Sequence, residues 1–178
     1  MSSSSSRAPS EPLRVVINDA SCLIDLRKGF IIEPMLALPY RFVVPLPIKE
    51  NELLDFSAQD WEFLQAEGFE VIDLTPEQVT RASSLRLSYG KLSLEDCFSL
   101  ALAESFEAAI LLTGDAALKT TAARFKIESH GVLWVVDQLQ QNRSVHPHDL
   151  AKCLEIWRDD PLNFVPATLI TARLKLLK

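Results

Sequence analysis

A chain of 178 residues with 48% apolar content and a mean hydropathy of +0.11 can bury a sizeable core, which argues against bulk disorder. Its net charge of −6 counts against a general basic surface for nucleic acid, although a local patch or a bound metal can offset that balance. Cys22, Cys97 and Cys153, odd in number and in no CxxC spacing, fit packing thiols in a reducing, cytoplasmic setting better than a disulfide framework or zinc site.

The opening MSSSSSRAPS has low complexity and no apolar periodicity, so residues 1–12 are expected to be a disordered tail before a single domain over 13–178. "LRVVIND" (13–19) predicts a first strand, with a short helix over Ala20 to Lys28. The longest apolar region, "FIIEPMLALPYRFVVPLPI", carries Glu33, Arg41 and four prolines, which argues against a membrane span. Within it, "RFVVPLP" (41–47) predicts a second strand. Helical patterning resumes through "IKENELLDF" and "AQDWEFLQAEG", closed by Gly68 as a C-terminal stop. "FEVIDL" (69–74) predicts a third strand, and Thr75-Pro76-Glu77 opens a helix with an N-cap followed by proline. A helix over 93–106, a strand over 109–113, a helix over 116–125, a strand over 132–136 and a helix from about Asp137 follow. The tail from His148 predicts one or two further helices as an extension. The last begins near Pro166, with Leu169, Ile170, Leu174 and Leu177 as its apolar stripe. Such β-α alternation predicts an α/β fold, a mostly parallel sheet with helices on both faces.

Two of the predicted strands end in aspartate, Asp19 in "VVINDAS" and Asp115 in "ILLTGDAALK". In an open parallel sheet the carboxyl ends of the strands are where ligands are met. Asp96 falls in the first turn of the 93–106 helix, and Glu50 and Glu52 follow the second strand. Each has a plainer reading. Asp19 and Asp115 suit helix N-caps. Ser93 to Asp96 has the spacing of a capping box, and both glutamates suit solvated surface. Taken together, several carboxylates at one strand-end cleft would repel one another unless protonated or neutralised by a cation. Hard divalent ions prefer such oxygen donors, and a site of that kind suits displacement at phosphorus.

"VVINDASCLIDL", "ENELL", "LSLEDCFSLALAE" and "AAILLTGDAALK" occur in that order and resemble the PIN domain, the nuclease fold typified by VapC-type toxins. The resemblance runs from about residue 13 to residue 140. It implies a PIN-like three-layer α/β/α fold and a metal-dependent ribonuclease that uses Mg²⁺ or Mn²⁺. It also implies an RNA substrate, an antitoxin protein as partner, and a homodimer. Residue by residue, it places the site acids at Asp19, Glu52, Asp96 and Asp115, with Asp19, Asp96 and Asp115 as metal ligands and Thr113 organising the site. Glu50 competes with Glu52 for the second position. Many relatives carry a further acid two positions after Asp115, where this chain has Ala117. Ala117 and the negative charge support a rival reading, a PIN-like scaffold with a weakened site. A haloacid-dehalogenase-like enzyme would want a D-x-D motif after the first strand, whereas this chain has Asp19-Ala20-Ser21.

Overall fold

Val15–Asn18 forms the central strand, β1, and all four of its residues are buried. Burial on both faces suits a β-branched run in a parallel sheet covered on each side by helices. The computed structural model describes residues 12–177; the tail expected over 1–12 lies, Pro12 apart, outside the described residues. From β1 the chain runs through α1 (Ala20–Lys28) and α2 (Ile32–Leu36) to β2 (Arg41–Pro45). It continues through α3 (Leu46–Asn51) and α4 (Ala58–Ala66) to β3 (Glu70–Ile72). Next come α5 (Pro76–Ser88), α6 (Leu94–Glu104), β4 (Ile110–Leu112), α7 (Ala116–Arg124) and β5 (Glu128–His130). The chain closes with α8 (Leu133–Gln141), α9 (Pro147–Asp159) and α10 (Ala167–Leu176). Every strand pairing is parallel, in the order β3-β2-β1-β4-β5.

Strand alternation divides the core in two. Val16 of β1 and Ile110 and Leu112 of β4 face a layer built from α1, α2, α4, α8 and α9. Val15, Ile17 and Leu111 face the layer of α5, α6 and α7. The result is a three-layer α/β/α protein. After β3 the chain returns to the other side of β1 to form β4, so the topological switch lies between β1 and β4. Ligand crevices in open α/β sheets form at the carboxyl edge of that point.

Three sequence expectations need correction. The segment predicted as a strand over 132–136 is mostly the start of α8, because Val132, Leu133, Val135, Val136 and Leu139 are buried at helical spacing. A short all-apolar run does not reveal its period. The fifth strand is instead the polar "ESH" at residues 128–130, on the sheet edge beside β4. The second strand stops at Pro45, and Leu46 and Pro47 already belong to α3. In α10 only Ile170 of the expected stripe is fully buried; Leu174 and Leu177 pack partly, and Leu169 remains 47% exposed.

Local signals elsewhere were obeyed. Thr75 caps α5 in a capping box with Gln78, and Pro76 takes the first turn. Gly68, at φ +95°, ends α4 with its N–H donating to Gln65 O while the Phe69 N–H donates to Leu64 O. That is the left-handed stop for which glycine has no steric penalty. Gly29 answers a different need. A Cβ there would lie 2.5 Å from Cys153 Sγ and 3.1 Å from Trp157 Nε1, where α9 crosses the end of α1. Gly29→Ala is expected to destabilise the protein by about 1–3 kcal/mol through overpacking, read from urea unfolding midpoints at unchanged m-value. An unchanged midpoint would mean that α9 sits more loosely than its contacts indicate.

Candidate functional site at the switch point

The register places Asn18 beside Leu112, so the next residues, Asp19 and Thr113, emerge together at the carboxyl edge. The Asp19 N–H donates to Leu112 O at 2.9 Å, which ties the two strand ends at this point. The Thr113 hydroxyl, fully buried, donates to Asp19 Oδ2 at 2.8 Å. The same oxygen accepts from Ser21 Oγ at 3.2 Å, and Oδ1 accepts from the Ala20 N–H at 2.9 Å. Thr113 Oγ1 in turn accepts from the Asp115 N–H at 3.1 Å. One hydroxyl therefore links the two strand-end aspartates.

Asp19 is 9% exposed, and its carboxyl is held above the usual range chiefly by burial. Thr113 lowers it in opposition, and the Asp96 charge raises it further. Beside it, Asn18 is wholly buried. Its amide donates to Val43 O and Val16 O, while its Oδ1 finds no partner among the described residues.

Asp96 comes from the first turn of α6, where it completes a capping box. Its N–H donates to Ser93 Oγ at 3.0 Å, and its Oδ2 accepts from the Ser93 N–H at 2.7 Å. Asp115 caps α7 through Oδ1, which accepts from the Leu118 N–H at 2.7 Å. The plainer readings of Asp19, Asp96 and Asp115 are thus correct locally, each as a helix cap. They do not exhaust the side chains. Asp96 and Asp115 each keep one carboxylate oxygen without a protein partner among the described residues.

Glu52 stands at the C-cap of α3. Much of it faces solvent, yet its carboxyl is pushed up to about 7, first by desolvation and then by Asp19, Glu95 and Asp96. Glu50 is exposed and has no part in that set of charges. The fold therefore brings Asp19, Glu52 and Asp96 into one electrostatic neighbourhood, with Asp115 joined to Asp19 through Thr113. Glu95 is a member that sequence reasoning did not single out. Its position next to Asp96 in α6 was the available signal.

Among the described residues, no three His, Cys, Asp or Glu side chains stand in metal-holding geometry. The donor chemistry nonetheless fits a hard divalent ion: every group is a carboxylate, and the Asp96 charge raises both Asp19 and Glu52. The cysteines offer no competing centre. All three are buried and free, and burial pushes Cys97 up to about 11 and Cys153 up to about 12.

Fold and site together define a class, an open parallel three-layer α/β/α protein with Asp19 at the topological switch and the charges of Asp96 and Glu52 in its neighbourhood. The family model for DUF3368, a PIN domain, matches residues 15–178, and the chain belongs to that PIN domain family. PIN domains are generally nucleases, and such nucleases generally use divalent metals. No curated protein matches the chain significantly. Among the described residues, no helix is long and apolar enough to cross a membrane.

Proposed function

We propose that the protein is a divalent-metal-dependent endoribonuclease that uses Mg²⁺ or Mn²⁺, and the toxin component of a toxin–antitoxin pair. The observation that carries the reading is that burial holds both Asp19 and Glu52 above their ordinary range at the switch point, and the Asp96 charge raises each further. Carboxylates raised by a neighbouring negative charge gain from a bound cation. Asp19, Asp96 and Asp115 would hold the metal, which when bound neutralises charge and lowers the pKa of a coordinated water. Thr113 positions Asp19, since its hydroxyl leaves that carboxylate little freedom to turn. Glu52, near neutrality, is suited to take a proton from the attacking water. The remainder of the proposal is a single domain over 13–178, a cytoplasmic setting, a homodimer, and an antitoxin that covers the acidic edge. A scaffold reading is favoured by Ala117 and by the carboxylate oxygens already committed to helix caps.

Purified protein incubated with RNA pools in Mg²⁺, Mn²⁺ or EDTA separates these. Cleavage with metal and none in EDTA is expected; equal cleavage in EDTA would sink the metal mechanism. Inactivity in every metal, with any partner removed, would favour the scaffold.

Asp96 allows a sharper test. As a cap alone, Asp96→Asn would cost about 0.3–1 kcal/mol and leave the metal response of the melting temperature unchanged. As a ligand, the variant keeps its melting temperature in EDTA, because like-charge repulsion is relieved. It also loses the rise that added Mn²⁺ gives the wild type. The second result is expected, read from melting temperature against metal concentration at one pH and salt.

A further inference from the structure

Arg27, Lys28, Lys49, Lys119 and Arg124 flank the acidic motifs in sequence, and the fold occupies the first three. Arg27 donates to Asp55 O, pairs with Asp60 and lies over the Phe56 ring. Lys28 pairs with Asp160 at 2.6 Å, and the Lys49 ammonium sits 5.0 Å above Trp61. Lys119, one helical turn beyond Asp115 on α7, forms no ion pair among the described residues. Its Nζ lies 3.3 Å from the point that a Gly131 Cβ would occupy. The missing side chain gives the ammonium its place on the wall of a cleft of about 860 Å³.

That cleft begins at Ser21 and Asp115 on the acidic edge and runs to the 160–166 loop and α10. Phe164 lines it and yet is 93% exposed. A bare aromatic side chain at the rim of a cleft is a platform for a flat partner. Two further rings line the same cleft, His130 stacked on Trp134 at 5.1 Å and 10°. Among the acids on the wall, Asp137 is neutralised by a two-pronged pair with Arg173. Asp25, half-buried, lines the same wall.

We infer that this cleft is a nucleotide subsite beside the acidic edge. Lys119 meets a phosphate, Phe164 stacks on an unpaired base, and Asp25 accepts a hydrogen bond from the base's exocyclic amino group. A lone cation, an aromatic platform and a carboxylate acceptor match the three parts of a nucleotide such as CMP. A lipid would want no carboxylate wall. The inference rests on the nuclease reading for the choice of RNA as the ligand.

The test is calorimetric titration of the full chain with CMP, cytidine and UMP, in EDTA and low salt so that no cleavage intervenes. CMP is expected to bind more tightly than UMP, which lacks the amino group. Lys119→Ala should weaken CMP about tenfold and leave cytidine unchanged. Phe164→Ala should weaken both about tenfold, and Asp25→Asn should erase the preference for CMP over UMP. Phe30→Ala, exposed and outside the cleft, serves as the unchanged control. Wild-type affinity for CMP in both Lys119→Ala and Phe164→Ala overturns the subsite, as does absence of saturable CMP binding. Loss of a concentration-dependent dimer in Phe164→Ala, with CMP binding intact, overturns it in favour of an interface between copies of the chain. The two readings fail separately. A wild type that binds CMP as described but cuts no RNA keeps the subsite and loses the nuclease. Metal-dependent cleavage with unaltered KM in Lys119→Ala and Phe164→Ala does the reverse.

Discussion

Asp19→Asn is expected to lower metal-dependent RNA cleavage by about 100-fold or more, since even partners of metal ligands are worth 10- to 100-fold. The fold should survive. Asn presents one oxygen for the Ala20 N–H that Asp19 Oδ1 now accepts, and asparagine caps helices about as well as aspartate. The new amide faces Thr113 and Ser21, whose hydroxyl oxygens can accept from it. Without metal the variant should be at least as stable as the wild type at neutral pH. Burial holds the Asp19 carboxyl above its ordinary value, so ionisation costs the folded state more than the unfolded chain. Cleavage assays in Mn²⁺, with melting curves in EDTA, check both halves. Wild-type cleavage by Asp19→Asn would remove this residue from the site; a collapse of the EDTA melting temperature would make it a structural cap.

Glu52→Gln should produce the next largest change, and its signature is a pH profile. The carboxyl moves from an ordinary 4.5 to about 7 on folding, so the folded state binds this proton more tightly than the unfolded chain. The sign follows from proton linkage. The penalty for the charged form is absent below about 4.5, develops as pH rises, and is complete above about 7. In EDTA, Glu52→Gln should therefore match the wild type near pH 4.5 and melt higher above pH 7. If Glu52 takes a proton in the reaction, the same variant loses activity by about 10²- to 10⁴-fold, the usual range for general base removal. Glu50→Gln, run beside it, should change neither. Parallel melting profiles for Glu52→Gln and wild type from pH 4.5 to 7, with equal cleavage rates, would assign Glu52 to ordinary surface.

Sequence periodicity was sufficient for the layers and for most elements. The buried runs "VVIN" and "ILL", the Thr75 and Ser93 capping boxes and the Gly68 stop are local signals, and local physics obeyed them. The failures came where tertiary packing overruled the local pattern. "VLWVV" is apolar enough for a strand, but it became the helix that covers one sheet face, and the polar "ESH" took the edge position because β4 offered a free ladder.

The site divides in the same way. Asp19 and Asp115 at strand tips, and Asp96 in a helix's first turn, were legible as residues with two possible meanings, because a cap and a ligand use the same side chain. What the chain order could not express was the strand order. Placing β4 beside β1 sets Thr113 against Asp19 and links Asp115 to it, across 94 residues of sequence between Asp19 and Thr113. Likewise, only the assembled fold distinguished Glu52 from Glu50 by the charges around it, and Lys119 from Arg27, Lys28 and Lys49 by the absence of an ion pair or ring contact among the described residues. Electrostatic coupling and ion pairing depend on distance in space, and a sequence carries that distance only through the fold it encodes.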